Sequence, residues 1–164
     1  MNGTSLARFV MLPWCLVGGL AVVAAAQTDP RIGTWELNLG KSTFSPGPPP
    51  QRQTLWYKVE GQQMIALLQG VDAQGHPITP DPGNFTIYLD GKDHPTPRPG
   101  YDTSNWKRIN ANKYVVYRKK AGKTVLTSTN VVSEDGHTLT ITTTGTDENG
   151  RSVSNVRVYD KRPQ

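Results

Sequence analysis

From Ile32 onward, apolar and polar positions alternate with a period of two, in short runs punctuated by turn residues. The run 32–39 is typical. Trp35, Leu37 and Leu39 fall on one face, with Thr34, Glu36 and Asn38 on the other. Further runs cover 53–60, 63–71, 84–90, 104–109, 113–119, 124–133, 138–144 and 152–161. Between them lie Gly61, Asp72-Ala73-Gln74-Gly75, Asp90-Gly91, Asn110-Ala111-Asn112, Ala121-Gly122, Glu134-Asp135-Gly136 and Asp147-Glu148-Asn149-Gly150. Asp-Gly and Asn-Gly tolerate the positive φ that tight hairpins demand. Nowhere in this part does an apolar spacing of three and four persist for three turns, so no helix is predicted. Two stretches break the pattern, 45–50 and 77–83, and 94–100 carries three prolines. Proline lacks the N–H that a central strand uses, so these segments are expected to be loops.

About nine strands joined mostly by short turns imply antiparallel neighbours, because a parallel pair needs a long crossover. A long meander must hide its two edges or close on itself. The expected fold class is therefore all-β: an antiparallel up-and-down β-barrel of about 8–10 strands. A two-sheet sandwich is the rival, but it needs Greek-key crossings that sequential short turns disfavour.

The first 26 residues read differently. Arg8 is the only charge before Asp29, and an apolar run from Phe9 ends in Ala24-Ala25-Ala26. That order of features is a secretory signal peptide, with cleavage expected after Ala26. The domain organisation is then 1–26 signal peptide and 27–164 barrel domain, placed in the periplasm or secreted, with no membrane span after cleavage. Cleavage removes Cys15, the single cysteine, and leaves a domain without disulfides or thiolate metal sites. The formal net charge of +5 is spread along the chain; its densest cluster, Arg118-Lys119-Lys120 with Lys123, reads as a solvated hairpin tip. No basic stripe of the kind that holds nucleic acid is present.

Gly33-Thr34-Trp35 opens the first strand and Val156-Arg157-Val158-Tyr159-Asp160-Lys161 ends the last. Gly-x-Trp resembles the opening hallmark of lipocalins, and Arg-x-Tyr resembles the final strand of the intracellular fatty-acid-binding proteins. The chain is also similar to a group of secreted bacterial lipocalin-like proteins, across residues 30–162. Its motifs there are Gly33-Thr34-Trp35, Leu37-Asn38, Lys41-Ser42, Phe44-Ser45-Pro46-Gly47, Asp90-Gly91-Lys92-Asp93 and Lys107-Arg108-Ile109. The resemblance implies a calycin-like barrel and export. It also implies that Trp35 packs across the closed end beneath a basic residue, Arg157 or Lys161, so that Gly33, Trp35 and Arg157 form the structural closure.

Arg157 and Tyr159 are the sharpest candidates for binding. Their i, i+2 spacing puts both on one strand face. If that face is the lumen, a guanidinium fork and a phenol suit a carboxylate; with the opposite parity Val156 and Val158 point inward. A third reading turns Arg157 inward only to pack on Trp35. Trp56, Tyr88 and Trp106 are candidate ligand-binding aromatics, with Tyr57, Tyr101, Tyr114 and Tyr117 as further lining or core. Phe85, Ile87 and Leu89 are expected inward, as are Leu139 and Ile141. The run 64–71 is apolar on both faces. His76, His94 and His137 sit in or beside separate turns, without the close pairing of a metal site. Asp90 and Asp93 read as turn chemistry. No nucleophile elbow, phosphate loop or dinucleotide fingerprint occurs, so no catalytic residue and no cofactor is expected.

The functional expectation is an exported, non-enzymatic lipocalin-like protein. It would bind a small hydrophobic or amphipathic, carboxylate-bearing ligand in its lumen, with Arg157 and Tyr159 orienting the head group. The alternative is a structural or interaction module of the cell envelope whose barrel is filled by its own side chains.

Overall fold

The computed structural model describes residues 28–78 and 85–163, so the expected signal peptide lies outside the described residues. Among the described residues, eleven strands form one sheet: β1 (Gly33–Leu37), β2 (Arg52–Glu60), β3 (Gln63–Val71), β4 (Pro77–Ile78), β5 (Phe85–Ile87), β6 (His94–Arg98), β7 (Tyr101–Arg108), β8 (Lys113–Lys120), β9 (Lys123–Val132), β10 (Thr138–Thr146) and β11 (Ser152–Lys161). A single 3-10 turn, Leu39–Lys41, follows β1, and no α-helix occurs among the described residues. The turn lifts Leu39 off the apolar face to which alternation assigns it and leaves it exposed.

All strand pairs are antiparallel, and the sheet runs β4-β3-β2-β1-β11-β10-β9-β8-β7-β6, with β5 beside β3. The first and last long strands are therefore neighbours: Trp35 lies opposite Lys161 and Leu37 opposite Tyr159. Beyond the 3-10 turn the chain continues along β11, where Thr43 bridges Val156. The meander thus curls until its ends meet. It is not hydrogen-bonded all the way round, because β5 and β6 do not pair with each other. The unpaired seam lies in the middle of the chain.

Both flanks of that seam are irregular for a sequence reason. Residues 94–98, expected as a loop because of their prolines, form an edge strand with Pro95 and Pro97. An edge strand can lose N–H groups without losing ladder bonds, and prolines there discourage pairing with another chain. Pro77 does the same in β4, a two-residue strand inside a stretch also expected to be a loop.

The concave face carries the core. Trp35, Leu55, Tyr57, Ala66, Ile87, Trp106, Val116, Val132, Leu139 and Tyr159 form one buried cluster. Phe85, Ile87, Leu139 and Ile141 join it as alternation predicts. Leu89 does not: β5 stops at Ile87, and Leu89 is exposed.

Candidate functional site

Strand register decides which way the last strand faces. Asn155, Arg157 and Tyr159 lie opposite Thr143, Ile141 and Leu139 of β10, and Leu139 is fully buried in the core. Arg157 therefore shares the lumen face with Tyr159, and Val156 and Val158 point outward. The Tyr159 hydroxyl donates to Gln53 Oε1 at 2.6 Å, inside the barrel. Burial pushes the Tyr159 phenol up, and the nearby Arg157 charge opposes this only in part. Tyr159→Phe would leave the buried Gln53 oxygen without its donor. It is expected to destabilise the fold by about 1–3 kcal/mol in urea unfolding.

Arg157 lies over Phe44, with its guanidinium carbon 5.8 Å from the ring centroid. Its Nε is buried and has no hydrogen-bond partner. Two strands away in the same register row, across Ile141, stands Asn130, only 2% exposed, whose Nδ2 also lacks a partner. The next row holds Asn155, Thr143 and Ser128, all buried. Arg118 donates to the Ser128 hydroxyl at 2.6 Å, and Ser128 and Thr143 share a hydrogen bond of 2.7 Å. The lumen thus has a polar belt built on β8–β11. Its two guanidinium groups make no ion pair among the described residues. Buried donors of this kind usually find a partner, and an anion or carbonyl group would supply one.

The closed end is assembled around Trp35, which is fully buried. Lys161, not Arg157, covers it: the Lys161 Nζ stands 5.0 Å from the indole. Register explains the difference, since Trp35 is paired with Lys161 and Arg157 lies four residues back along β11. Gly33 contributes by lacking a side chain. Its φ is +131°, and a Cβ there would meet Lys161 Cε at 2.9 Å. The Trp35 indole donates to the Arg31 carbonyl at 2.7 Å.

Arg31 is the largest departure from the sequence reading, which assigned it no role. It is fully buried, its guanidinium carbon 3.6 Å from the Tyr114 centroid, 5.4 Å from Tyr57 and 5.6 Å from Trp106. Asp29 accepts from Arg31 Nε at 3.0 Å and from Nη2 at 2.9 Å. Burial raises the Asp29 carboxyl, but the hydrogen bonds and charge of Arg31 outweigh it and hold that carboxyl below the ordinary range. A single arginine beside the first strand carries no pattern of its own. The polar belt did leave a trace: Ser128 and Asn130 stand at the same parity as Val132.

The three candidate aromatics end in different places. Trp106 is in the core, facing the lumen. Trp56 is not: it pairs with Thr34 and Leu67, one residue out of phase with the inward Leu55 and Tyr57, and faces outside. There it lines an outer groove of about 470 Å³ with Ile32, Thr34, Lys58, Leu67 and Gln69. Leu67 accounts for part of the apolar outer face of β3. Tyr88 lies past the end of β5 and is exposed, stacked on His94 at 4.0 Å, so it is a rim residue and not a lumen contact. His94 in turn bonds Asp90 at 2.9 Å. Among the described residues, no cluster of His, Cys, Asp and Glu could hold a metal ion, and no helix is long and apolar enough to cross a membrane.

At the seam, Phe85 on one side and Thr96, Arg98 and Tyr101 on the other surround a void of about 20 Å³ that reaches Ser104, Trp106 and Arg118. That is room for about one water, far below the roughly 300–1,000 Å³ of a small-molecule pocket. The buried cluster that includes Tyr57, Trp106, Leu139 and Tyr159 fills much of the lumen.

No protein-family model matches the chain, and no curated protein sequence does. Among solved structures it is similar to zebrafish ileal bile acid-binding protein complexed with cholic acid. The two share 16% identity and a TM-score of 0.50, over 81% of this chain and 99% of that one. At that identity the likeness is one of fold, and the chain is accordingly an all-β, antiparallel up-and-down sheet curled into a calycin-like barrel.

Proposed function

We propose that this is an exported binding protein, periplasmic or secreted, whose lumen takes a small amphipathic anion, with a carboxylate held at the Arg157 side of the polar belt. The observation that carries the reading is the pair of interior guanidinium groups, Arg157 and Arg118, that have no acidic partner among the described residues. Arg157 Nε and Asn130 Nδ2 are in addition buried donors with nothing to donate to. A carboxylate would satisfy them, and charge-assisted bonds are the strong ones. Ile141, Phe44 and Val116 would pack the apolar part. The structural neighbour is complexed with cholic acid, itself an amphipathic carboxylate. The pattern of residues 1–26 supports export. The role proposed is passive binding and not catalysis: the belt offers donors and hydroxyls but no acid–base pair poised on a nucleophile.

A ligand would have to displace side chains, because typical small-molecule pockets measure about 300–1,000 Å³. The seam is the natural route, since opening it breaks no ladder bonds. The filled lumen favours a second reading, a barrel that serves as an envelope interaction module without a small ligand.

Lipids extracted from the purified protein, analysed by mass spectrometry, distinguish the two. The binding reading expects an enriched carboxylate-bearing species and binding of a fluorescent fatty acid. Arg157→Ala should weaken that binding roughly 10–100-fold, the loss of one charge-assisted contact. An alcohol analogue of the probe should be indifferent to the substitution. No enriched species, together with equal probe affinity in both proteins, would leave the filled barrel as the correct account.

A further inference from the structure

We propose that the closed end of the barrel is a guanidinium-selective aromatic cage, and that the chain fills it with its own Arg31, so that the segment Asp29-Pro30-Arg31 acts as a built-in ligand. This site borders the polar belt, because Tyr114 pairs with Asn130 across β8 and β9, but its occupant is Arg31 whatever the belt binds.

The segment is prepared for the task before it docks. Asp29 Oδ1 accepts from the Arg31 backbone N–H at 3.0 Å, and the Asp29 carbonyl accepts from the Ile32 N–H at 3.1 Å. This is a turn with Asp at its first position and Pro at its second, both favoured there. It brings the Asp29 carboxylate round to face the Arg31 guanidinium, so cation and counter-ion enter the barrel together as one neutral unit. The neutrality matters, because an unpaired buried charge is strongly disfavoured.

The cage selects the shape of the cation. The guanidinium stacks on Tyr114 at 3.6 Å and is flanked by Tyr57 and Trp106. Its Nε and Nη2 are satisfied by Asp29, while Nη1 is buried with no partner. A planar, weakly hydrated guanidinium tolerates an unpaired N–H against aromatic faces. A compact ammonium, which needs its three donors solvated, does not. Tyr57 and Tyr114 are kept neutral here, burial pushing both phenols up, so the rings offer faces and not a competing charge. Two further bonds fasten the segment from outside the cage: the Trp35 indole to the Arg31 carbonyl at 2.7 Å and Lys161 Nζ to the Pro30 carbonyl at 3.4 Å. The floor of the lumen is thus made from residues that precede the first strand.

Chemical rescue tests the cage. Arg31→Ala is expected to lower the melting temperature by roughly 5–10 °C. Millimolar methylguanidinium chloride should restore at least half of that loss, and methylammonium chloride at the same concentration should restore none. Arg31→Lys should fall nearly as far as Arg31→Ala. Equal rescue by both cations, or a Lys variant as stable as the native protein, would overturn the proposal. If Arg31→Ala does not fold, NMR of the unaltered protein decides. The cage requires an Arg31 Nε–H that is protected from exchange, because it is buried and bonded to Asp29. An Nε–H that exchanges as fast as that of a surface arginine would refute it.

Discussion

Trp35→Ala is expected to destabilise the protein by about 3–5 kcal/mol, the range for removing a buried large aromatic side chain. Three things are lost together. The indole is fully buried in the core cluster, so its removal opens a cavity at the closed end. Its N–H is the donor to the Arg31 carbonyl, which would be left without that partner. Its face is also what Lys161 lies on, at a distance where cation–π attraction contributes about 0.5–2 kcal/mol. Because β1 is the junction between the β2–β3 arm and β11, the loss falls where the two ends of the sheet meet. Trp35→Phe should cost clearly less, since it keeps a ring but not the N–H. Urea unfolding followed by far-UV circular dichroism gives both numbers. A Trp35→Ala variant within about 1 kcal/mol of the native protein would mean that the first and last strands are held together by something other than this contact.

Gly145→Ala is expected to destabilise the protein by about 2–4 kcal/mol. Gly145 lies near the end of β10 with φ +140°, a region that residues with a side chain rarely enter. A Cβ there would also run into the Val125 carbonyl oxygen and approach Leu126 Cα to 2.9 Å. Both obstacles are backbone, so neither can rotate away. The ladder between β9 and β10, in which Gly145 faces Leu126, would have to open from that end. These strands carry Ser128, Asn130 and Thr143, so the polar belt should loosen with it. Hydrogen exchange is the direct measurement: amides of residues 125–128 and 143–146 should lose protection before the rest of the sheet. Thr144→Ala, an exposed position next door, should change stability by less than about 0.5 kcal/mol. If the two variants behave alike, the close approach of β9 and β10 at this point is not what the structure describes.

Much of the architecture was legible in alternation alone. A period of two is a local property of the extended backbone, so Trp35 with Leu37, Phe85 with Ile87 and Leu139 with Ile141 could be grouped without knowing the fold. Turn residues with positive φ, such as Gly61, Gly75 and Gly136, marked the hairpins for the same local reason. The meander, its antiparallel pairing and the meeting of first and last strands followed from these. The prolines misled in one respect. They ruled out a central strand at 94–98 correctly, but an edge strand satisfies the same constraint, and β6 is one.

Which residues stand alternately along each strand was determined by the sequence itself. Which of the two faces is inside was decided only by tertiary structure, because Val156-Arg157-Val158-Tyr159 reads equally well in either phase until β10 and its buried Leu139 are set beside it. The same reason separates Trp56 from Tyr57: adjacent aromatics, one outside in a groove and one inside a cage. Arg31 shows the limit most sharply. Its burial depends on Tyr57 of β2 and on Trp106 and Tyr114 of the β7–β8 hairpin, all far from residue 31 in the chain, and no local pattern around residue 31 encodes where those strands converge.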